Sequence, residues 1–65
     1  SNVNMQDNIQ KINECNNIFQ EEIEKFNEKG VGAAGTRARK ALLDIAKLTK
    51  EIRKQIQEKK NEGKA

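Results

Sequence analysis

The sequence GVGAAGTRARK, residues 30–40, separates two long helical patterns and contains three of the four glycines in the chain. Gly30 follows a lysine, a combination typical of a helix that ends at a glycine. Ala33 and Ala34 are strong helix formers, whereas Gly35 costs about 1 kcal/mol relative to alanine and would let another backbone approach closely. The segment therefore predicts a turn at about residues 30–32 and a second helix from about residue 33.

Apolar residues before and after this segment recur at the three- and four-residue steps of amphipathic helices. In the first helix the predicted core stripe is Met5, Ile9, Ile12, Phe19, Ile23 and Phe26. In the second helix it is Ala38, Ala41, Leu42, Ile45, Leu48, Thr49, Ile52 and Ile56. We therefore predict an all-α fold, an antiparallel two-helix hairpin with helices at about residues 5–29 and 33–62.

Asn16 fills the one gap in the first stripe, at a position typical of a core residue. A polar residue at such a position can fix the register or the number of partners in a coiled coil. The alternative is a polar residue that is merely tolerated near the surface, and the pattern alone does not decide between the two.

The chain has 65 residues, which is enough for one small domain, here the helical hairpin of residues 5–62. We interpret residues 1–4 as a short polar N-terminus, some of whose residues could come from the expression vector, and residues 63–65 as a disordered tail. With a single cysteine and no histidine, the chain cannot form an intrachain disulfide and lacks the usual ligands of a structural metal site. We therefore expect the hairpin to dimerise, as a four-helix bundle or coiled-coil-like assembly, or to form a higher oligomer.

Charge is distributed unevenly between the two halves of the chain. Residues 1–29 carry three lysines against six acidic residues, a net charge of −3, and residues 30–65 carry ten Lys and Arg against four acidic residues, a net charge of +6. Such sorting favours a polyanionic partner for the second helix. No apolar run has the length of a membrane span or a signal peptide, so we expect a cytoplasmic protein without a membrane partner.

The positive residues of the second helix lie opposite its apolar stripe or on its flanks when successive residues are placed 100° apart. The candidate DNA-binding residues are Arg37, Arg39, Lys40, Lys47, Lys50, Arg53 and Lys54. A row of cations matches DNA phosphates, because neutralising them releases condensed counterions. The face has no aromatic residue for base stacking, which favours the backbone of duplex DNA over single strands. The alternative interpretation is an ordinary solvated helix face.

The run AAGTRARKA, residues 33–41, with the basic and apolar residues that follow from Leu43 to Lys54, resembles the bacterial linker-histone-like family, best known from chlamydial chromatin. Phe19 and Phe26 in the preceding helix also suit that family. The resemblance implies a nucleoid-associated protein that binds duplex DNA without sequence specificity and compacts it. Gly32 stands where the family pattern leads us to expect a lysine.

Other functions find less support in the sequence. Cys15 has no histidine to activate it, so we expect no enzymatic activity, and no cofactor, metal or small-molecule substrate. Residues 30–35 match a GxGxxG pattern, but no strand precedes it, so a dinucleotide site is excluded. The remaining alternative is a coiled-coil protein-interaction module whose basic face meets an acidic protein partner.

Overall fold

The computed structural model describes residues 4–63, which form an antiparallel hairpin about 55 Å long. Helix α1 spans Met5–Lys29 and helix α2 spans Gly32–Glu62, and the two pack against each other along their lengths. No strand occurs within these residues. The all-α hairpin predicted from the sequence is therefore confirmed. Residues 1–3 and 64–65 of the expected polar N-terminus and tail lie outside the described range.

The ends of α1 are fixed by local hydrogen bonds. The Asn4 side-chain oxygen accepts a hydrogen bond from the Asp7 backbone N–H at 2.9 Å, which satisfies one free donor of the first turn. At the other end, Gly30 has φ +65° and its N–H donates to the Phe26 carbonyl at 3.0 Å. Only glycine adopts this left-handed conformation without cost, which explains why the turn begins there.

Small residues form the fully buried part of the interface between the helices. Ala34, Ala38 and Ala41 are the buried apolar residues of the described chain, and no large side chain is fully buried. Near the open end of the hairpin, Asn8 is buried and its amide donates a hydrogen bond of 3.1 Å to the Gln55 side-chain oxygen. The hairpin alone therefore has almost no large hydrophobic core.

The core stripe predicted for α1 is partly wrong. Ile9 is 37% exposed and Asn16 is exposed, whereas Asn8 is buried and Cys15 is half-buried at the interface. The sequence shows a broad apolar arc, but a single neighbouring helix covers only the part of the arc that faces it. The polar core position is therefore Asn8 rather than Asn16 within the hairpin.

The stripe predicted for α2 needs the same correction. Leu42 is 48% exposed and Ile56 is 46% exposed, and Thr49 is also exposed. Because alanines permit close approach, α1 packs over the alanine row, which leaves these residues to one side.

Gly35 permits a side chain of α1 to lie close against α2. A Cβ at this position would lie 2.7 Å from Phe26 Cδ1 and 2.9 Å from Cε1, closer than side chains pack. A close approach does occur at Gly35, but the expected partner was wrong, because the neighbour is the Phe26 ring and not another backbone.

Candidate nucleic-acid interface

The candidate DNA-binding residues lie along α2, on the outer side or the edges of the helix. All seven are exposed. Lys40, Lys47 and Lys54 recur every seven residues, which places them about 10 Å apart in a row on the outer side of the helix, opposite the buried alanines. Arg39 and Arg53 lie on one flank of the helix, and Lys50 lies between that flank and the lysine row. We call Arg39, Lys47, Lys50, Arg53 and Lys54 the basic face.

The basic face consists of cations that the protein itself does not neutralise. Within residues 4–63, no carboxylate lies within ion-pair distance of any of its five side chains. Lysine and arginine stems project into solvent from a continuous helix, so their charges are available to an external anion. Phosphates spaced along a nucleic-acid backbone are anions of this kind.

Arg37 and Lys40 differ from the basic face because each has an acidic partner in the hairpin. Arg37 Nε donates to Glu22 Oε1 at 2.9 Å, which ties α2 to α1. Lys40 Nζ donates to Asp44 Oδ2 at 2.9 Å, one turn further along α2. The hydrogen bond from Arg37 lowers the pKa of Glu22, and the hydrogen bond to Asp44 raises the pKa of Lys40. The positive charges of Arg37 and Lys40 are thus partly neutralised by carboxylates of the hairpin itself.

Glu22 is the residue near the site that the sequence pattern did not identify. Its side chain is only 12% exposed and also lies 3.5 Å from Lys25 Nζ. It lies 15 residues before Arg37, so helical periodicity does not reveal the pair. Only the register of the antiparallel hairpin brings them together.

The start of α2 is open to solvent. Val31 occupies the N-cap position without a side-chain hydrogen bond, and the first turn carries no acidic residue. The Thr36 hydroxyl turns back to donate to the Gly32 carbonyl at 3.5 Å. The backbone N–H groups of the first turn therefore add to the positive character of this end.

The acidic residues of α1 are separated from the basic face. Asp7, Glu14, Glu21 and Glu28 recur every seven residues along an exposed row of α1. The hairpin therefore presents an acidic row on one helix and a basic face on the other.

The described residues show no sign of two other kinds of site. Among residues 4–63, no group of three or more Cys, Asp or Glu side chains is placed to hold a metal ion. In the same range, no helix is long and apolar enough to span a bilayer.

Comparison with known proteins gives one match. No curated protein and no solved structure matches the chain. The family described as Histone H1-like protein Hc1 matches residues 6–62, which include both helices and the turn between them. This match spans most of the chain and confirms the resemblance seen in residues 33–41. The chain belongs to the histone H1-like protein Hc1 family.

Proposed function

We propose that this protein is a non-enzymatic, nucleoid-associated protein that binds the backbone of duplex DNA through the basic face of α2 and compacts DNA as a dimer or higher oligomer. Membership of a histone H1-like family supports DNA as the partner. The proposed location is the nucleoid of a bacterial cytoplasm. No cofactor or small-molecule substrate is part of this proposal.

The unpaired cations of the basic face carry the proposal. Lys47, Lys50, Arg53 and Lys54 are exposed on successive turns of one helix, and none has an acidic partner within residues 4–63. Cations of this kind meet phosphates and do not distinguish bases, because phosphate contacts carry no direct sequence information. Binding should therefore vary little with DNA sequence.

Arg37 and Lys40 have a smaller role in this proposal than a reading of the sequence suggests. Each would have to exchange an internal carboxylate for a DNA phosphate. The net gain from such an exchange is smaller than the gain from a cation that is free before binding. The principal contacts are therefore assigned to the basic face.

The salt dependence of binding provides the first test. If about four phosphates are neutralised per protomer, log K should fall with log salt with a slope of about −3 to −4. Fluorescence anisotropy with several duplexes of unrelated sequence, over a potassium chloride series, measures this slope. All duplexes should bind with similar affinity.

A charge-matched pair of variants tests where DNA binds. The triple variant Lys47→Gln, Lys50→Gln, Lys54→Gln should weaken binding to every duplex and make the slope shallower by about two to three. The control is Lys11→Gln, Lys25→Gln, Lys29→Gln, which removes the same charge from α1. If net charge alone matters, both variants will lose affinity equally, and the assignment to α2 is wrong.

The protein-interaction alternative predicts a different result. A module for an acidic protein partner would show little affinity for random duplex DNA, even at low salt. In that case both triple variants would behave like the parent protein in the anisotropy assay, and the DNA-binding proposal would be rejected.

A further inference from the structure

One side of the hairpin is apolar and has no partner within the chain. Its exposed large side chains are Ile9, Phe26, Leu42 and Ile56, between 37% and 48% exposed. Ile9, Asn16 and Ile23 recur every seven residues on α1, and Leu42, Thr49 and Ile56 do so on α2. We call the surface formed by these two rows the apolar side. It contains no charged residue.

The hairpin exposes more surface than a compact monomer of the same mass. The chain exposes 5254 Å², whereas a compact monomer of its mass exposes about 4,200 Å². The difference of about 1,000 Å² is close to the roughly 800 Å² that each partner buries in a standard protein interface. The long, thin hairpin therefore exposes more surface than a compact monomer, by an amount comparable with one partner's share of a standard interface.

We propose that a second copy of the chain covers the apolar side with two-fold symmetry, and that each α1 lies over α2 of the other copy. The two-fold axis then runs parallel to the helices, and every helix of the four-helix bundle is antiparallel to its neighbours. The alternative two-fold arrangement places α1 on α1 and α2 on α2.

The charges beside the apolar side decide between the two arrangements. On α2 the bordering row is Arg39, Ala46, Arg53 and Lys60, and on α1 it is Gln6, Asn13, Gln20 and Asn27. Placing α2 on α2 would bring two rows of cations together, and like charges at close range repel. Placing α1 over α2 instead sets neutral amides against the cations.

The two polar residues of the apolar side also fit this arrangement. Contacts of Asn8 with Gln55 and of Phe26 with Gly35 set the register of the hairpin, and they place Asn16 level with Ala46. An axis parallel to the helices keeps heights equal, so Thr49 of the second copy lies about 4.5 Å along the axis from the level of Asn16 and is the nearest residue of its row. The Thr49 hydroxyl donates to the Ala46 carbonyl at 2.8 Å, which leaves its lone pairs available to the Asn16 amide.

This arrangement gives the dimer two basic faces that point in opposite directions, because the two copies of α2 lie on a diagonal of the bundle. A dimer of this kind can hold two duplexes at once and so draw DNA segments together. That consequence rests on the proposed DNA binding, whereas the arrangement of the helices does not.

Crosslinking without DNA tests the arrangement by itself. Both variants carry Cys15→Ser, one with Asn13→Cys on the border of α1 and the other with Ala46→Cys on the border of α2. With a short bifunctional maleimide, the mixture should give a covalent dimer, and neither variant alone should do so. Circular dichroism of each variant checks that the helices are retained.

Every other crosslinking result overturns the proposed arrangement. Links formed by either variant alone indicate α1 on α1 or α2 on α2. A dimer by light scattering that gives no mixed link indicates a different interface, and a stable monomer indicates that no second copy covers the apolar side.

A bridging assay then separates this inference from DNA binding itself. Bead-bound duplex should capture a second, labelled duplex only when the dimer is intact. Ile9→Glu with Leu42→Glu should abolish capture while single-duplex anisotropy is retained. Absence of any single-duplex binding rejects the proposed function, and the crosslinking result stands independently. Capture that persists in a monomeric Glu variant overturns bridging by the dimer.

Discussion

At the scale of single residues, Glu22 is the acidic side chain that connects the two helices. Its carboxylate accepts a hydrogen bond from Arg37 on α2 and lies near Lys25 on its own helix. The pKa of Glu22 is lowered, chiefly by the hydrogen bond from Arg37. A carboxyl group whose pKa is lower in the folded state stabilises folding above its unfolded pKa, and this contribution is lost as the pH falls.

We expect Glu22→Gln to lower the thermal midpoint near neutral pH and to have little effect in strong acid. The contribution of Glu22 should disappear as the pH falls from about 4.3, the ordinary glutamate value, through the lowered pKa. Thermal unfolding followed by circular dichroism from about pH 2.5 to pH 7 measures the difference between the two proteins.

The control is Glu24→Gln, which removes an exposed carboxylate of the same helix that has no ion pair within residues 4–63. Its midpoint should follow the parent protein closely at every pH. Parallel pH curves for Glu22→Gln and the parent protein would show that the pair with Arg37 adds no stability.

At the scale of the helices, α1 and α2 begin differently. Asn4 caps α1 through its side chain, whereas Val31 at the start of α2 has no side-chain oxygen to accept a hydrogen bond. The N–H groups of Ala34 and Gly35 donate to the Val31 carbonyl at 3.0 and 3.3 Å, so the earlier N–H groups of α2 are the ones left without an intrahelical partner.

We expect Val31→Ser to raise the free energy of unfolding by about 1 kcal/mol, because the hydroxyl can accept a hydrogen bond from the first turn. Val31→Ala is the matched control, since it loses the valine contacts without adding a cap. Chemical denaturation measures both variants, and equal values would show that the open helix end costs nothing. Serine adds no charge, so DNA affinity should change little.

At the scale of the whole molecule, the hairpin is long and thin, and its fully buried apolar residues are three alanines within residues 4–63. Two helices with so little buried area are marginal by themselves. Association through the apolar side would supply the missing apolar burial, which makes stability depend on the concentration of protein.

We expect the thermal midpoint to rise with protein concentration, because association stabilises only the folded chain. Light scattering should give at least twice the 7.4 kDa chain mass at micromolar concentration. Ile9→Glu with Leu42→Glu should remove the concentration dependence and lower the midpoint. Asn13→Asp is the control: in the proposed dimer it sets a carboxylate beside the cations that border α2 of the second copy, so the concentration dependence should persist. A midpoint independent of concentration for the parent protein would contradict association.

Local patterns in the sequence were sufficient for the helices and the turn. Apolar spacing of three and four residues predicts helices whatever lies beside them, and Gly30 supplies the left-handed conformation that ends α1. The cations of α2 and the run in residues 33–41 pointed to the family, because both features can be read directly along the sequence without knowledge of the fold. The family match over residues 6–62 confirms that identification.

The tertiary structure alone decided which part of each apolar arc is covered. Periodicity defines an arc but not the direction of the neighbouring helix, so it left open whether Asn16 lies in the core, and in the hairpin Asn8 is buried while Asn16 is exposed. Packing of α1 over Ala34, Ala38 and Ala41 leaves Leu42 to one side, and Ile9 is exposed on the same side of the hairpin. In the same way, the pairing of Arg37 with Glu22 depends on the register between helices, because its partners are distant in sequence and adjacent only after the chain folds back.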